Sequence, residues 1–308
     1  MRGRFGLAAL TATFLGACNG LAPWQVPVPP NRPPSPPAET TERSAASLEL
    51  ERYYLAVQND LLTQGLLRTD GGGPDSLFSA ADLARNFETI AFYDEYSRPG
   101  TARNAGGELS RWQSPVRVMT HFGPSVTTRQ RSVDGPLIER YTKRLARVTD
   151  HPITQVTTGA NFHVFVAGED DKDYIQDRLR TLLPDLSANQ LRFFVDVPRP
   201  IYCLVVAFSG DGTNDYAQAV ALIRAEHPDL VRQACIHEEM AQGLGLANDS
   251  LSARPSIFND DDEFALLTTH DELLLKMLYD PRLIPGQSAE EARPVVEEIA
   301  RGLLGGAS

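Results

Sequence analysis

Two adjacent carboxylates, an amide and an Asn-Asp pair stand at spacings that can make one site: Glu238-Glu239, then Gln242, a Gly243-Leu244-Gly245 turn, and Asn248-Asp249. A glutamate can act as a general base, and carboxylate and amide oxygens can hold a cation. The stretch reads as the end of a helix that starts near Asp229. Leu230, Val231, Ala234 and Cys235 mark its buried stripe, and continuing that stripe at i+3 and i+4 lands on Glu238 and Gln242. Burying a carboxylate and an amide without partners costs several kcal/mol. The placement therefore calls for mutual hydrogen bonds, a metal or a solvent-filled cleft. Gly243 and Gly245 supply a helix stop that can adopt a left-handed conformation and return Asn248 and Asp249 toward the same face. Such a cluster satisfies itself without metal, because the amides of Gln242 and Asn248 donate where the Glu238 carboxylate accepts.

Other constellations carry less. His237-Glu238 starts like an H-E-x-x-H pair, but Ala241 stands where the second ligand belongs. Gly243-Leu244-Gly245 closes a helix instead of opening one after a strand, so it is no dinucleotide fingerprint. There is no G-x-S-x-G elbow, and Gly210-Asp211-Gly212 reads as a turn. Asn259-Asp260-Asp261-Asp262-Glu263 lacks the spacing and central Gly of an EF-hand loop, and is expected to be a solvated acidic loop. His121, His163 and His270 are candidate late ligands, although strand histidines such as the first two read as satisfied sheet residues.

The pattern E-E-x-x-Q-x-x-G-L-x-N-D resembles the H-E-x-x-H-x-x-G-x-x-H segment of metzincin-type zinc peptidases. The resemblance places Glu238 and Gln242 at the two helical His positions, Glu239 at the general base and Asn248 at the third His, with Asp249 following. All three imidazoles are replaced, so no zinc is expected, and a harder divalent cation stays open. Met277 falls inside a helix, not at a Met-turn. With Arg111-Trp112, Val116 to Gly123, Ser256-Ile257-Phe258-Asn259-Asp260 and Leu278-Tyr279-Asp280-Pro281-Arg282-Leu283, the same pattern resembles the bacterial family called domain of unknown function 2927. That resemblance spans roughly Arg111 to Gly286. It implies a metzincin-like architecture and brings no activity with it.

These residues need a scaffold. The 308 residues are 42% hydrophobic and 22% charged, enough for a sizeable core. The pattern beyond Arg111 predicts an α/β fold, a metzincin-like mixed sheet packed against helices over 108–286, with a helix over 287–308. Strands are expected at Val116 to Phe122, Phe162 to Val166, Leu191 to Val197 and Ile201 to Phe208. Helices are expected around Leu137 to Val148, Tyr174 to Leu183, Asn214 to Ala225 and Ser288 to Leu304. A helical arm over 48–100 precedes the domain, its second helix capped by Ser79 and Asp82. Cys203 and Cys235 are expected to pair in the exported chain, holding the strand that begins near Ile201 to the helix of the site, with two buried thiols as the alternative; over a loop of about 33 residues the bridge is worth about 3–4 kcal/mol.

The N-terminus resembles a bacterial lipoprotein signal over 1–17: Arg2 and Arg4, the apolar run Phe5 to Leu15, then Leu15-Gly16-Ala17-Cys18. Lipidation of Cys18 would anchor the chain to a membrane, whereas an ordinary secretory signal with a chance cysteine would only export it. Over 18–47 follows a spacer with eight prolines in the fifteen positions from Pro23 to Pro37. With 29 basic and 40 acidic residues, a net charge of −11, the chain lacks the basic field that nucleic-acid binding needs. The expected partners are the membrane through the lipidated N-terminus and an envelope protein or peptide. Asn19 after the cysteine points to the outer membrane over the inner one. The expected role is a binding or envelope-associated module with a degenerate metallopeptidase-like domain. The competing expectation is a metal-dependent hydrolase with Glu239 as general base.

Overall fold

The computed structural model describes residues 42–93, 107–210 and 212–305. The signal segment with Cys18 and Asn19, nearly all of the proline-rich spacer, the arm residues 94–100 and Asp211 lie outside them.

Five strands form one mixed sheet in the order β2-β1-β3-β5-β4: β1 Val116–Phe122, β2 Ile153–Gln155, β3 Phe162–Ala167, β4 Cys203–Ser209 and β5 Tyr216–Arg224. β2, β1, β3 and β5 run parallel, and β4 lies antiparallel on β5 at one edge, with Cys203 opposite Ile223. Every residue of β3 is buried, as expected for a central parallel strand covered on both faces. Helices α3 (Thr128–Thr149) and α6 (Asp229–Gln242) cover one face, where Val118, Phe162, Val164 and Ala221 meet Ile138, Leu145, Ile236 and Met240. Helices α4 (Lys172–Leu182) and α5 (Ala188–Val195) cover the other, where Phe165, Val220 and Leu222 meet Ile175, Leu179, Leu191 and Phe194. The alternation of strand side chains between the two clusters is the period of two of an extended chain.

Two expected elements change type. Leu191 to Val197, read as a strand from its aromatic and β-branched residues, belongs to α5: Ser187 and Gln190 make a capping box, and Leu191 and Phe194 are buried at helical spacing. Asn214 to Ala225, read as a helix, is β5. Its Ala219 to Arg224 run is buried on both faces, so the alternation that marks a half-exposed strand is absent.

The arm's helices α1 (Ala45–Thr63) and α2 (Ala80–Ala91) both dock on the domain. In α1, the Ser47 hydroxyl donates to the buried Glu226 carboxylate at 2.8 Å, and the Tyr54 hydroxyl to the Arg199 carbonyl at 3.0 Å. In α2, Leu83, Phe87 and Ile90 join the main core with residues of α7 (Thr269–Leu278) and α8 (Ala289–Gly305). Among the described residues no helix is long and apolar enough to cross a membrane.

Candidate functional site

Helix α6 is anchored at both ends before it presents any functional group. Near its start Arg232, 4% exposed, donates to the buried Asp134 of α3 at 2.8 Å, to Asp229 at 2.7 Å and to the His227 carbonyl at 2.6 Å. One turn on, Cys235 is disulfide-bonded to Cys203 at the head of β4, with Cα atoms 5.8 Å apart. At the far end the Trp112 indole donates to the Gly243 carbonyl at 2.8 Å, and the Tyr279 hydroxyl to the Leu244 carbonyl at 3.0 Å. A side chain at Gly243 would press into the Phe162 ring. Gly245 (φ +127°) takes a conformation that favours glycine, with the Ser110 carbonyl close behind it. Arg111 donates to the carbonyls of Leu278, Asp280 and Leu283 and lies 5.5 Å from the Tyr279 ring. The Arg111-Trp112 and Leu278 to Leu283 motifs thus lock the turn after α6.

Between these anchors opens a cavity of about 320 Å³ walled by Leu67, Tyr202, Cys203, Ala234 and Phe264. Five carboxylates line it: Glu238 and Glu239 from α6, Asp249 beyond the turn, and Asp260 and Asp262 from the following loop. No Lys, Arg or His is among the described residues lining it. Glu239 is 4% exposed. Burial, and then the neighbouring Asp261 and Asp260, push the Asp262 carboxyl above the usual carboxylate range. The neighbouring Glu263 differs: it pairs with Arg68 and Arg254, and bonds from these guanidiniums hold its carboxyl low.

The residues singled out in the sequence separate in space. Glu238, Glu239 and Asp249 share the cavity, and the buried Gln242 donates to Asp249 at 3.2 Å. Asn248 does not return to them. Its side chain donates to the Thr89 carbonyl at 3.0 Å and its backbone to that of Ile90 at 3.1 Å, so it satisfies the C-terminal end of α2. The histidines lie elsewhere. His237 stacks on Tyr141 at 4.0 Å and accepts from the Leu267 amide, with burial pulling its pKa down to about 3. His121 and His163 meet at 3.1 Å on the α4 and α5 side, both pulled down to about 4, chiefly by burial. His270 sits fully buried beside Asn86.

A Cys203, Glu238 and Glu239 set has donor atoms within 4.8 Å of one another, but the sulfur is committed to the disulfide. Zinc in the metzincin register does not fit these residues: no imidazole is among the described residues lining the cavity, and the Gln242 and Asn248 amides are engaged as donors. Cys203, expected as the partner of Cys235, also lines the cavity, whereas Asp260 and Asp262 were expected only in a solvated acidic loop. The run of four acidic residues after Asn259 was the available signal, but nothing local tells which of them turn inward.

The motifs that lock α6 and its turn coincide with a family model, protein of unknown function DUF2927, which matches residues 80–298. The chain belongs to the DUF2927 family. The match begins at α2 and ends within α8, so α2 and the first part of α8 fall inside the family's domain and α1 precedes it. No curated protein and no solved structure matches the chain.

Proposed function

We propose that this DUF2927 protein is an exported, lipid-anchored binding module whose acidic cleft takes a cationic group, such as a lysine or arginine side chain of an envelope protein or peptide. One observation carries the reading: five carboxylates, from α6, the turn after it and the following loop, line one cavity. Gathering like charges in a partly desolvated space raises their energy, and a cation from outside relieves it. The resemblance of the Glu238 to Asp249 pattern to a metzincin site supports viewing the cleft as a peptidase-like pocket without its zinc ligands. Cys18 supplies the anchor and the proline-rich spacer the reach.

Calorimetric titration of the purified chain with a lysine-rich peptide tests the cleft. Binding should weaken as ionic strength rises and fall at least about tenfold in Glu238→Gln combined with Asp262→Asn. An acidic peptide that binds equally well sinks the reading. Replacing Cys18 by Ser should abolish fatty-acid labelling of the chain, and unchanged labelling removes the anchor. The hydrolase reading makes a separate demand: peptide hydrolysis that requires added divalent metal and is lost in Glu239→Gln.

A further inference from the structure

We infer that the outward face of α1 is a self-association surface, on which two copies of the chain lay their α1 helices side by side, parallel and in register. Leu48, Leu55 and Leu62 are 38%, 47% and 45% exposed, and they recur every seven residues along one side of the helix. The other exposed large apolar side chains among the described residues, Leu77, Val133, Leu251 and Ile284, fall on separate stretches of the chain, as scattered surface residues do. The opposite side of α1 is already in use. Leu50 and Tyr54 are buried there, and Leu61 packs against Leu67, Val231 and Ala265. The helix is therefore held folded by its own domain, and pairing costs it little further ordering.

Leucines spaced by seven make the seam of a two-stranded coil, with Leu48, Leu55 and Leu62 at d and Ala45, Arg52 and Asn59 at a. The polar a positions point to the occupant. In a parallel pair in register, Asn59 meets Asn59 of the second copy, and each amide donates to the other and accepts from it. Arg52, set between Leu48 and Leu55, then lies beside Glu51 of the second copy, at g. Glu51 meets Arg43 at 3.0 Å within its own chain, but its side chain stays 49% exposed and its carboxylate can accept from a second guanidinium. The two-fold symmetry makes this ion pair twice. An antiparallel pair centred on Leu55 sets Arg52 opposite Gln58 and forgoes both. A membrane surface is the poorer occupant, because Glu49 and Asp60 on one rim of the face and Glu51 on the other are repelled by anionic headgroups. A seam this short makes a weak, concentration-dependent dimer.

Sedimentation velocity of the purified, unacylated chain from about 1 to 200 μM is the test, and the wild-type chain should pass from monomer to dimer across that range. Leu55→Glu should stay monomeric throughout with an unchanged circular dichroism spectrum, because that side chain faces solvent in the single chain. Arg52→Glu and Glu51→Arg each set like charges across the seam and should each weaken the dimer at least about tenfold. The two reversals together should restore it to within about threefold of wild type. A wild-type chain that is monomeric at every concentration overturns the inference, as does a dimer indifferent to Leu55→Glu. So does a double reversal that dimerises no better than the single ones, the result an antiparallel or unrelated contact gives. Binding of the chain to phosphatidylcholine vesicles without dimerisation, lost in Leu55→Glu, would assign the face to lipid and overturn it equally.

Discussion

Acidic side chains meet two kinds of surroundings in this molecule. At the start of α7 the fully buried Asp271 accepts from Ser256 at 2.6 Å, from the Ile257 amide at 3.1 Å, and from the Thr268 amide and hydroxyl at 2.9 and 2.8 Å. At the start of α6 the buried Asp134 meets Arg232. In the cleft, by contrast, five carboxylates from α6, the turn after it and the following loop line one cavity. An acid whose partners come from the same chain builds structure. Acids gathered around one open space repel one another, and that contrast separates scaffold from candidate site.

The contrast makes its largest claim at Arg232. Burial raises the Asp134 carboxyl and Arg232 opposes that rise, so Arg232→Met should strand a buried acid and cost about 3–5 kcal/mol in denaturant unfolding. A loss under about 1 kcal/mol would place Asp134 with the cleft acids instead. Next, Asp271→Ala should cost about 2–4 kcal/mol, because it removes the α7 capping box and leaves the Ser256 and Thr268 donors without their acceptor.

Acidification should act on the scaffold in the opposite sense to the cleft. His121 and His163 are held at about 4, and His227 and His237 at about 3, against 6.5 for a free histidine. Their folded pKa lies below the unfolded one, so their contribution is present in full above pH 6.5 and is lost as pH falls toward 4. Within that window each contributes a slope of about 1.4 kcal/mol per pH unit. Replacing His121 and His163 by Leu should flatten the fall of the urea midpoint, and an unchanged slope would refute their part in it. Asp262 runs the other way: its folded pKa is raised, so protonation relieves rather than destabilises. The smallest effect is therefore expected for Asp262→Asn, within about 0.5 kcal/mol of wild type or slightly more stable at neutral pH, with weaker lysine-peptide binding. A large loss of stability would show that Asp262 belongs to the scaffold.

What could be read locally was read where one face of an element meets water. α2 carries its Ser79 capping box and apolar stripe, α6 its start near Asp229, and β1 its alternation. β5 and α5 escaped for the reason already visible in their burial. A strand covered on both faces loses its period, and a short helix rich in Phe and Val imitates a strand. The placement of Glu238 and Gln242 on one helix face was legible from helical spacing alone, because i and i+4 fix a common face without reference to the rest of the chain.

By itself the sequence determined the helix that carries the two glutamates, the glycine turn that ends it, the cysteines available to bridge, and the motifs of the DUF2927 family. Only the tertiary structure decided that Asn248 turns to α2 rather than to the glutamates, and that Asp260 and Asp262 join them from the following loop. It alone decided that Cys203 stands against the face of α6 bearing Cys235, Glu238 and Glu239. The physical reason is range. Helical periodicity and glycine conformation act over a few residues, whereas the direction a loop carboxylate faces is set by where distant elements leave space and unsatisfied backbone groups.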